Sequence, residues 1–255
     1  MRTCNATIDQ KSYTVNIDEN GFIRNGTQKR PDTPAIMILG DSVVENFWSE
    51  ENERICPVVE RALEKEGHFY RVINCGVTGA STLHLVNVLI NKGVPLAPKA
   101  VVLLSGAIDA MLSMKDGGLW SNALTDQTSE HPRPKFDLSE RGRALGILDV
   151  VCRELSVPLW LATFPFTPSA ANCYGMRHFE NKKDLLKNLL ATNAQTASFA
   201  AERNLGFIDF ANAIGNEDAF FYDGLHPNKI GREALGNGIA SAILSHLTRD
   251  KNMLE

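Results

Sequence analysis

Short apolar runs alternate with longer amphipathic stretches from residue 35 to the end of the chain. The runs are too short or too rich in β-branched residues for core helices, and uniformly apolar runs of this length are typical of strands buried on both faces. They predict five strands, at residues 35–39, 71–74, 100–104, 157–164 and 206–210.

The stretches between the runs carry apolar residues at helical spacing. One such stripe extends from Ile55 to Leu63 and stops before Gly67, a residue type that commonly ends helices. Similar stripes cover residues 145–155 and 185–194, and we expect a last helix from about Ile230. Because strands separated by helices run parallel with right-handed crossovers, this order predicts a three-layer α/β/α sandwich around a five-stranded parallel sheet.

Two regions fall outside this alternation. Residues 12–24 alternate through Tyr13, Val15 and Ile17 and then reach a turn at residues 19–21, which predicts an N-terminal β-hairpin beside the core. Residues 111–137 have no clear period and form a long connection. Connections of this length are functional loops or mobile surface insertions, so this segment is a possible lid.

Size and charge exclude several classes of partner. With 255 residues, 44% of them hydrophobic, the chain can bury one sizeable core, and we expect a single domain over residues 1–255. A net charge of −4 without a basic run provides no field that attracts nucleic acid or an anionic membrane. No segment approaches the roughly 18 apolar residues of a membrane span, and no apolar leader precedes the core, so we expect a cytoplasmic protein.

The cysteines and histidines indicate no metal centre. The five cysteines lack CxxC spacing, which indicates reduced thiols, and the histidines outside the segment near residue 226 show no metal-ligand spacing. The glycine-rich patterns of dinucleotide sites and phosphate loops are also missing from the sequence. The sequence therefore shows no pattern of a metal centre, a dinucleotide site or a phosphate loop.

Ser42 occupies a position suited to a nucleophile. It follows Gly40 and Asp41, directly after the first predicted strand. The carboxyl end of a parallel strand is where such sheets bind ligands, and the helix that begins there offers unpaired N–H groups and a positive dipole end. The same position also suits a serine that merely caps the helix, so the triplet leaves both interpretations open.

Asp223 precedes His226 by three residues, shortly before the predicted last helix. A histidine that takes a proton from serine needs a carboxylate on its other ring nitrogen, and a tight turn can hold both side chains at one site. The surrounding Asp-Gly and His-Pro dipeptides are equally compatible with an ordinary solvated turn.

Glycine-rich segments follow the second and third predicted strands. They read Asn74-x-Gly76-x-x-Gly79 and Gly106-x-x-Asp109. Glycine lets a backbone N–H group approach a substrate closely, as an oxyanion hole requires, although each glycine can also simply make the turn.

Taken in order, these four segments resemble the four conserved blocks of the SGNH (GDSL) hydrolase family, over residues 35 to about 245. The resemblance implies a flavodoxin-like fold and a serine esterase site without a cofactor. In that site Ser42 attacks an acyl carbonyl, His226 acts as general base and then acid, and Asp223 orients His226. The N–H groups of Ser42 and Gly79 form part of the oxyanion hole.

One position departs from the family pattern. The third block normally reads Gly-x-Asn-Asp, and its asparagine donates a third hydrogen bond to the oxyanion. Here that position is Ile108, which has no side-chain donor, and loss of one such donor lowers kcat by roughly 10²–10³-fold in a well-studied protease. Ser105 and Asn46 are possible substitutes. We place Ile108, Asp41, Asn46 and His178 at the predicted substrate pocket.

The leading hypothesis is an intracellular carboxylic-ester hydrolase that acts on a small or medium acyl ester. An acyltransferase would use the same acyl-Ser42 intermediate with an alcohol or amine in place of water. A non-catalytic ligand-binding protein on a hydrolase scaffold is the alternative from a different class. The acyl group, the alcohol and the oligomeric state depend on loop shapes that periodicity does not reveal.

Overall fold

Five parallel strands form the central sheet in a computed structural model, which describes residues 2–3, 12–26, 32–114, 118–120, 137–169 and 182–252. The strands are β1 (Ala35–Gly40), β2 (Arg71–Gly76), β3 (Ala100–Leu104), β4 (Leu159–Ala162) and β5 (Gly206–Ile208). They are ordered β2-β1-β3-β4-β5. The strand order reverses at β1, and in sheets of this kind ligands bind in the crevice at such a point, beyond the carboxyl ends of the strands.

All five predicted strands form, but the last two are shorter than the apolar runs that predicted them. The run at 157–164 includes Pro158, which has no N–H for strand pairing. The run at 206–210 ends early because the Asp209 carboxylate accepts a hydrogen bond from the Asn212 N–H and caps a short helix. The helix cap at Asp209 therefore ends β5 before the apolar run in the sequence ends.

Helices connect the strands, as the apolar stripes predict. They are α1 (Ser42–Glu45), α2 (Ile55–Lys65), α3 (Thr82–Val88), α4 (Ala107–Leu112), α5 (Ser139–Glu154), α6 (Lys182–Arg203), α7 (Phe210–Ala213) and α8 (Lys229–Asn252). Gly67 follows α2 with a φ of 80°, the left-handed conformation expected of a helix stop. None of the described helices is long and apolar enough to cross a membrane.

Apolar side chains on the two faces of the sheet form separate core layers. Ile36 and Ile38 of β1 belong to the layer that α2 and α8 cover, and Met37 and Leu39 belong to the layer that α3 and α5 cover. This alternation follows from the two-residue period of a strand, and it requires a helix layer on each side of the sheet. The predicted α/β/α sandwich is therefore confirmed.

The N-terminal hairpin is reduced to a reverse turn. Ile23 pairs with Ile17 in a single antiparallel bridge and with Asn74 at the outer edge of β2. The carboxylate of Asp18 accepts hydrogen bonds from the N–H groups of Asn20 and Phe22 and so closes the turn. Strand Ser12–Tyr13 pairs instead with Arg2–Thr3. The turn therefore extends the sheet edge beside β2.

The predicted lid at 111–137 lies largely outside the described residues. Its described parts are the end of α4, a single helical turn at Gly118–Trp120, and residue 137 shortly before α5. His178 also lies outside the described residues. The lid and the placement of His178 in the substrate pocket therefore stay predictions.

Candidate active site

Two glycines allow the segment that carries Ser42 to pack tightly against the strand ends. Gly40 ends β1 and pairs with Gly76 at the end of β2. A Cβ atom on Gly76 would overlap the backbone nitrogen of Glu45 in α1, and one on Gly40 would overlap the side chain of Val44. The glycines are therefore needed to bring α1, with Ser42 as its first residue, directly onto the carboxyl edge of the sheet.

We expect Gly76→Ala to destabilise the fold, because the neighbour that it would meet is backbone and cannot rotate away. Overpacking of this kind costs about 1–3 kcal/mol or more, which urea unfolding would measure. Gly146→Ala in α5 is the matched control, since its Cβ would meet open space. In a helix interior that change should stabilise the protein by about 0.5–1 kcal/mol. Equal effects at both positions would contradict the close-approach argument.

Ser42, His226 and Asp223 form one hydrogen-bonded line. Ser42 Oγ lies 3.0 Å from His226 Nε2, and His226 Nδ1 lies 2.9 Å from Asp223 Oδ2. The other carboxylate oxygen of Asp223 accepts hydrogen bonds from the N–H groups of Leu225 and His226. The fold thus brings together a serine and a histidine that are 184 residues apart in sequence.

The surroundings of Asp223 keep its carboxyl group ionised. Burial raises its pKa, but the hydrogen bond and charge of His226, with the N–H groups of His226 and Leu225, outweigh burial and hold the pKa below its ordinary value. An ionised Asp223 accepts the Nδ1 proton of His226, so Nε2 carries the lone pair that faces the Ser42 hydroxyl. This arrangement suits proton transfer from serine to histidine.

The hydroxyl of Ser42 does not cap a helix. The cap of α1 is Asp41, whose side chain accepts a hydrogen bond from the Val43 N–H at 3.0 Å. Ser42 is the first helical residue, and the described structure pairs its hydroxyl with His226 instead. Of the two interpretations that the sequence allows, the geometry therefore favours the nucleophile.

Trp48 packs against the catalytic candidate His226, a contact that sequence reasoning missed. Their ring centroids are 4.6 Å apart and their planes are 80° apart, an edge-to-face arrangement. Trp48 is almost fully buried, so it restricts the positions open to the imidazole. The only sequence signal for this role is an aromatic pair, Phe47 and Trp48, shortly after Ser42.

Two backbone N–H groups are candidate donors to an oxyanion. One belongs to Ser42 itself, at the start of α1. The other belongs to Gly79, which has a φ of 79°. The hydrogen bonds of the surrounding turn use the N–H groups of Val77, Thr78 and Ala80, which leaves the Gly79 N–H without an acceptor in the described part of the chain.

The turn that carries Gly79 is held by Glu45. The Glu45 carboxylate accepts hydrogen bonds from both the backbone N–H and the hydroxyl of Thr78. Asn74 adds a second link, because its amide donates to the Val44 carbonyl and accepts from the Gly76 N–H. The nucleophile segment and the Gly79 turn are therefore fixed to each other by side chains.

The two substitutes considered for the missing asparagine are occupied elsewhere. Asn46 is fully buried with a φ of 46°; its amide nitrogen donates to the Val43 carbonyl at 3.5 Å, and its amide oxygen accepts from Ser49 at 2.6 Å. The hydroxyl of Ser105 lies 2.9 Å from that of Thr82. Ile108, on α4, is only partly buried and packs at the edge of the core layer of α2 and α8. Neither polar group therefore takes over the asparagine's hydrogen bond in this structure.

Asp41 is an unusual carboxyl group for its position. It is almost fully buried, one oxygen accepts from the Val43 N–H, and Oδ2 has no partner among the residues that the structure describes. Burial is the main reason that its pKa is raised to about 7, and Asp109 adds repulsion, whereas the Val43 N–H and His226 act in the opposite direction. Asp41 therefore titrates near neutral pH.

Asp109 and Arg141 form a buried ion pair that holds together the helices following the strand ends. Their side chains are fully buried, with Arg141 Nε 2.9 Å from Asp109 Oδ2. Asp109 also accepts hydrogen bonds from the N–H and hydroxyl of Thr82 at the start of α3. This carboxylate ties α3, α4 and α5 together. Arg141 was not found by sequence reasoning, because nothing in α5 marks it as buried.

Comparison with known proteins shows a family by sequence pattern and a shared fold by structure. The model of the GDSL-like lipase/acylhydrolase family matches residues 38–234, a range that includes Ser42, Asp223 and His226. No curated protein matches the sequence.

Several solved structures share the fold at low sequence identity. A lipase/acylhydrolase from Enterococcus faecalis is 23% identical, with a TM-score of 0.59 and coverage of 84% of this chain and 96% of that chain. A GDSL-like lipase from Bacteroides thetaiotaomicron VPI-5482 is 13% identical, with a TM-score of 0.58 and coverage of 88% and 92%. An acetylxylan esterase from Geobacillus stearothermophilus, solved as a catalytic mutant, is 17% identical, with a TM-score of 0.58 and coverage of 82% and 94%. With most of the chain matched by its model, the protein belongs to the GDSL-like lipase/acylhydrolase family.

Proposed function

We propose that this protein hydrolyses a carboxylic ester of a small or medium substrate through an acyl-Ser42 intermediate. The observation that carries the proposal is the continuous line of hydrogen bonds from Ser42 through His226 to Asp223. Family membership supports ester hydrolysis in general, and the line of hydrogen bonds supplies a nucleophile, a base and an orienting carboxylate.

The first half of the reaction forms the acyl-enzyme. Ser42 Oγ bonds to the acyl carbon, its proton moves to His226 Nε2, and the carbonyl electron pair moves onto oxygen. The N–H groups of Ser42 and Gly79 receive this oxyanion, and Asp223 stabilises the imidazolium. His226 then returns the proton to the leaving alcohol as the ester bond breaks.

The second half releases the acid. Water loses a proton to His226 Nε2 and attacks the acyl carbon, and the proton then returns to Ser42 Oγ as the acid leaves. An acyltransferase would replace this water with an alcohol or amine. The apolar Ile108 is a reason to keep this alternative, because an apolar side chain beside the acyl group would hinder the entry of water and so favour a bound acceptor.

A burst of alcohol release followed by a slow steady state would show accumulation of the acyl-enzyme. Acceleration of the slow phase by an added alcohol or amine, with the transferred product detected, would favour the acyltransferase. Because one protein of similar fold is an acetylxylan esterase, p-nitrophenyl acetate is a suitable first substrate. A complete triad argues against a purely ligand-binding role, which has no use for a base beside the serine.

The proposal is tested by intact-protein mass spectrometry after treatment with a fluorophosphonate. We expect one phosphonyl adduct on the wild type and none on Ser42→Ala, because only an activated serine displaces the fluoride. Ser81→Ala is the matched control. Ser81 Oγ also lies 3.0 Å from a histidine nitrogen, Nδ1 of the exposed His84. This contact is part of a helix cap, and no carboxylate pairs with the His84 imidazole in the described structure.

The control variant should label like the wild type, although loss of its cap will cost about 1 kcal/mol of stability. An adduct that persists in Ser42→Ala and disappears in Ser81→Ala would move the nucleophile to Ser81. An unlabelled, folded wild type that also fails to cleave p-nitrophenyl acetate would remove the esterase proposal.

A further inference from the structure

Two buried polar atoms beside the triad lack a hydrogen-bond partner among the described residues. They are Asp41 Oδ2 and Trp48 Nε1. Nearly all buried polar atoms in native proteins are paired, so each of these atoms requires an explanation. Asp41 immediately precedes Ser42, and Trp48 packs against His226, so both atoms belong to the neighbourhood of the proposed reaction.

The proposed oxyanion hole is incomplete as it stands. Two backbone N–H groups are candidate donors, but Ile108 provides no side-chain donor, the Asn46 amide nitrogen contacts the Val43 carbonyl, and the Ser105 hydroxyl pairs with that of Thr82. An efficient esterase on this scaffold needs another donor near the position that Ile108 occupies.

Asp41 lies on the turn between β1 and α1, directly before Ser42. It follows Gly40, which pairs with Leu104 at the end of β3, and β3 leads into the helix that carries Ile108 and Asp109. The carboxyl group of Asp41 is within electrostatic reach of Asp109 in α4 and of His226 in the triad. Asp41 is therefore coupled electrostatically both to the triad and to the helix in which Ile108 replaces the family's asparagine.

We propose that Asp41 is a catalytic residue, whose protonated carboxyl group donates the third hydrogen bond to the oxyanion in place of the missing asparagine. This inference rests on the proposed function, because an oxyanion forms only if Ser42 attacks an acyl group. It gives the orphaned oxygen of Asp41 a ligand, which is the substrate's carbonyl oxygen during the reaction.

The environment of Asp41 maintains the required proton. Burial is the main reason that its pKa is raised to about 7. Of the charged groups that act on it, Asp109 raises the pKa and His226 lowers it. The Val43 N–H occupies the other oxygen, so the proton belongs on Oδ2. A carboxylic acid that its surroundings keep neutral can donate a strong hydrogen bond to an oxyanion.

Asp41 forms and breaks no covalent bond to substrate in this scheme. Ser42 Oγ bonds to the acyl carbon, the serine proton goes to His226, and the carbonyl electron pair becomes the oxyanion that accepts the O–H of Asp41. When the oxyanion collapses and the alcohol leaves with the proton of His226, the carbonyl re-forms and Asp41 keeps its own proton.

The indole N–H of Trp48 is the competing donor, and pH separates the two. An indole N–H does not titrate, so a hole completed by Trp48 keeps its activity at alkaline pH. A hole completed by Asp41 loses its third donor as Asp41 ionises. Asp41 is the preferred donor, because it directly precedes Ser42 and acts electrostatically on both His226 and Asp109, whereas the Trp48 ring packs against the imidazole.

The test is the pH dependence of kcat/KM for p-nitrophenyl acetate, which reports the free enzyme. For the wild type we expect kcat/KM to fall about tenfold per pH unit above roughly pH 7. The decrease should stop when kcat/KM is about 10²–10³-fold below its maximum, because two oxyanion donors then remain.

Three variants complete the test. Asp41→Asn keeps an acceptor for the Val43 N–H and supplies an amide donor that cannot ionise, so its alkaline limb should vanish. Ile108→Asn restores the family's own donor and should raise kcat most at alkaline pH, where Asp41 no longer contributes. Trp48→Phe, which keeps an aromatic ring against His226 but removes the N–H, should keep the alkaline limb.

An alkaline limb that is missing from the wild type, or that persists in both Asp41→Asn and Ile108→Asn, would overturn the role of Asp41. In either case labelling of Ser42 by the fluorophosphonate would show that the esterase proposal still stands. If one of these two variants fails to fold, the other decides the question, since each removes the dependence on the Asp41 proton by a different route.

Protein stability gives a readout that does not depend on turnover. A carboxyl group whose pKa rises from 3.8 to about 7 on folding contributes stability that is full below the unfolded value and is lost as pH rises to the folded value. Between these two pH values, the urea midpoint of the wild type should therefore fall relative to that of Asp41→Asn. At higher pH the difference between the two midpoints should stay constant. Parallel midpoints across the whole window would show that Asp41 is already ionised and cannot donate.

Discussion

Ser42→Ala is expected to lower kcat for ester hydrolysis by about 10⁵–10⁶-fold, the scale of loss when a triad serine is removed from a hydrolase. Among the described residues, the hydrogen-bond partner of the Ser42 hydroxyl is His226. The variant should therefore fold normally and bind substrate, and steady-state kinetics with equal thermal unfolding of both proteins would show this.

The loss should also be non-additive. Without the serine, there is no proton transfer to His226 for Asp223 to assist. The double variant Ser42→Ala/Asp223→Ala should therefore have the same kcat as Ser42→Ala alone. Ser81→Ala again serves as the control and should keep kcat within a few-fold of wild type, since its contact with His84 caps α3. A Ser42→Ala protein that retains a tenth of wild-type activity would contradict the acyl-Ser42 mechanism.

The strands and the site share one reason for being predictable. Buried parallel strands require continuous apolar runs, and the residues that follow each run are brought to one edge of the sheet by the topology. The positions after β1, β2 and β3 are therefore expected near one another from the sequence alone. The turn at Asp223 and His226 was harder to place, and its position became predictable only through the resemblance to a family.

The details that tune the site could not be predicted, because they depend on packing between distant segments. The edge-to-face contact of Trp48 with His226 joins residues that are far apart in sequence, and no local pattern marks it. The burial of Asp41 leaves no trace in its own sequence neighbourhood. The occupation of Asn46 and Ser105 depends on partners that only the folded chain brings near.

The Asp109–Arg141 pair should produce the largest stability effect among single substitutions at polar positions. Asp109→Asn leaves the guanidinium of Arg141 buried without a counter-charge, and breaking a buried pair in this way costs about 3–5 kcal/mol. Urea unfolding would measure the loss. Arg141 also donates to Gln195 and Thr196 in α6, so the defect should spread to the helices that hold the third strand-end loop.

Two comparisons identify the cause of that loss. Arg141→Met combined with Asp109→Asn removes both charges and should recover part of the stability lost by either single change, which a double-mutant cycle would quantify. Arg153→Met breaks the Arg153–Asp149 pair on the same helix, where the arginine is 57% exposed, and should cost at most about 1 kcal/mol. Equal losses at both pairs would mean that burial does not set the strength of the Asp109–Arg141 pair.

The same substitution connects stability to the chemistry of the site. Asp109 repels the charge of Asp41 and so helps to raise its pKa. In folded Asp109→Asn that repulsion is gone and the positive Arg141 remains, so the pKa of Asp41 should fall and the alkaline limb of kcat/KM should move to lower pH. If the alkaline limb of kcat/KM keeps its position in a folded Asp109→Asn protein, the limb belongs to a group other than Asp41. The charge next to Asp41 would then have changed without shifting the pH at which activity falls.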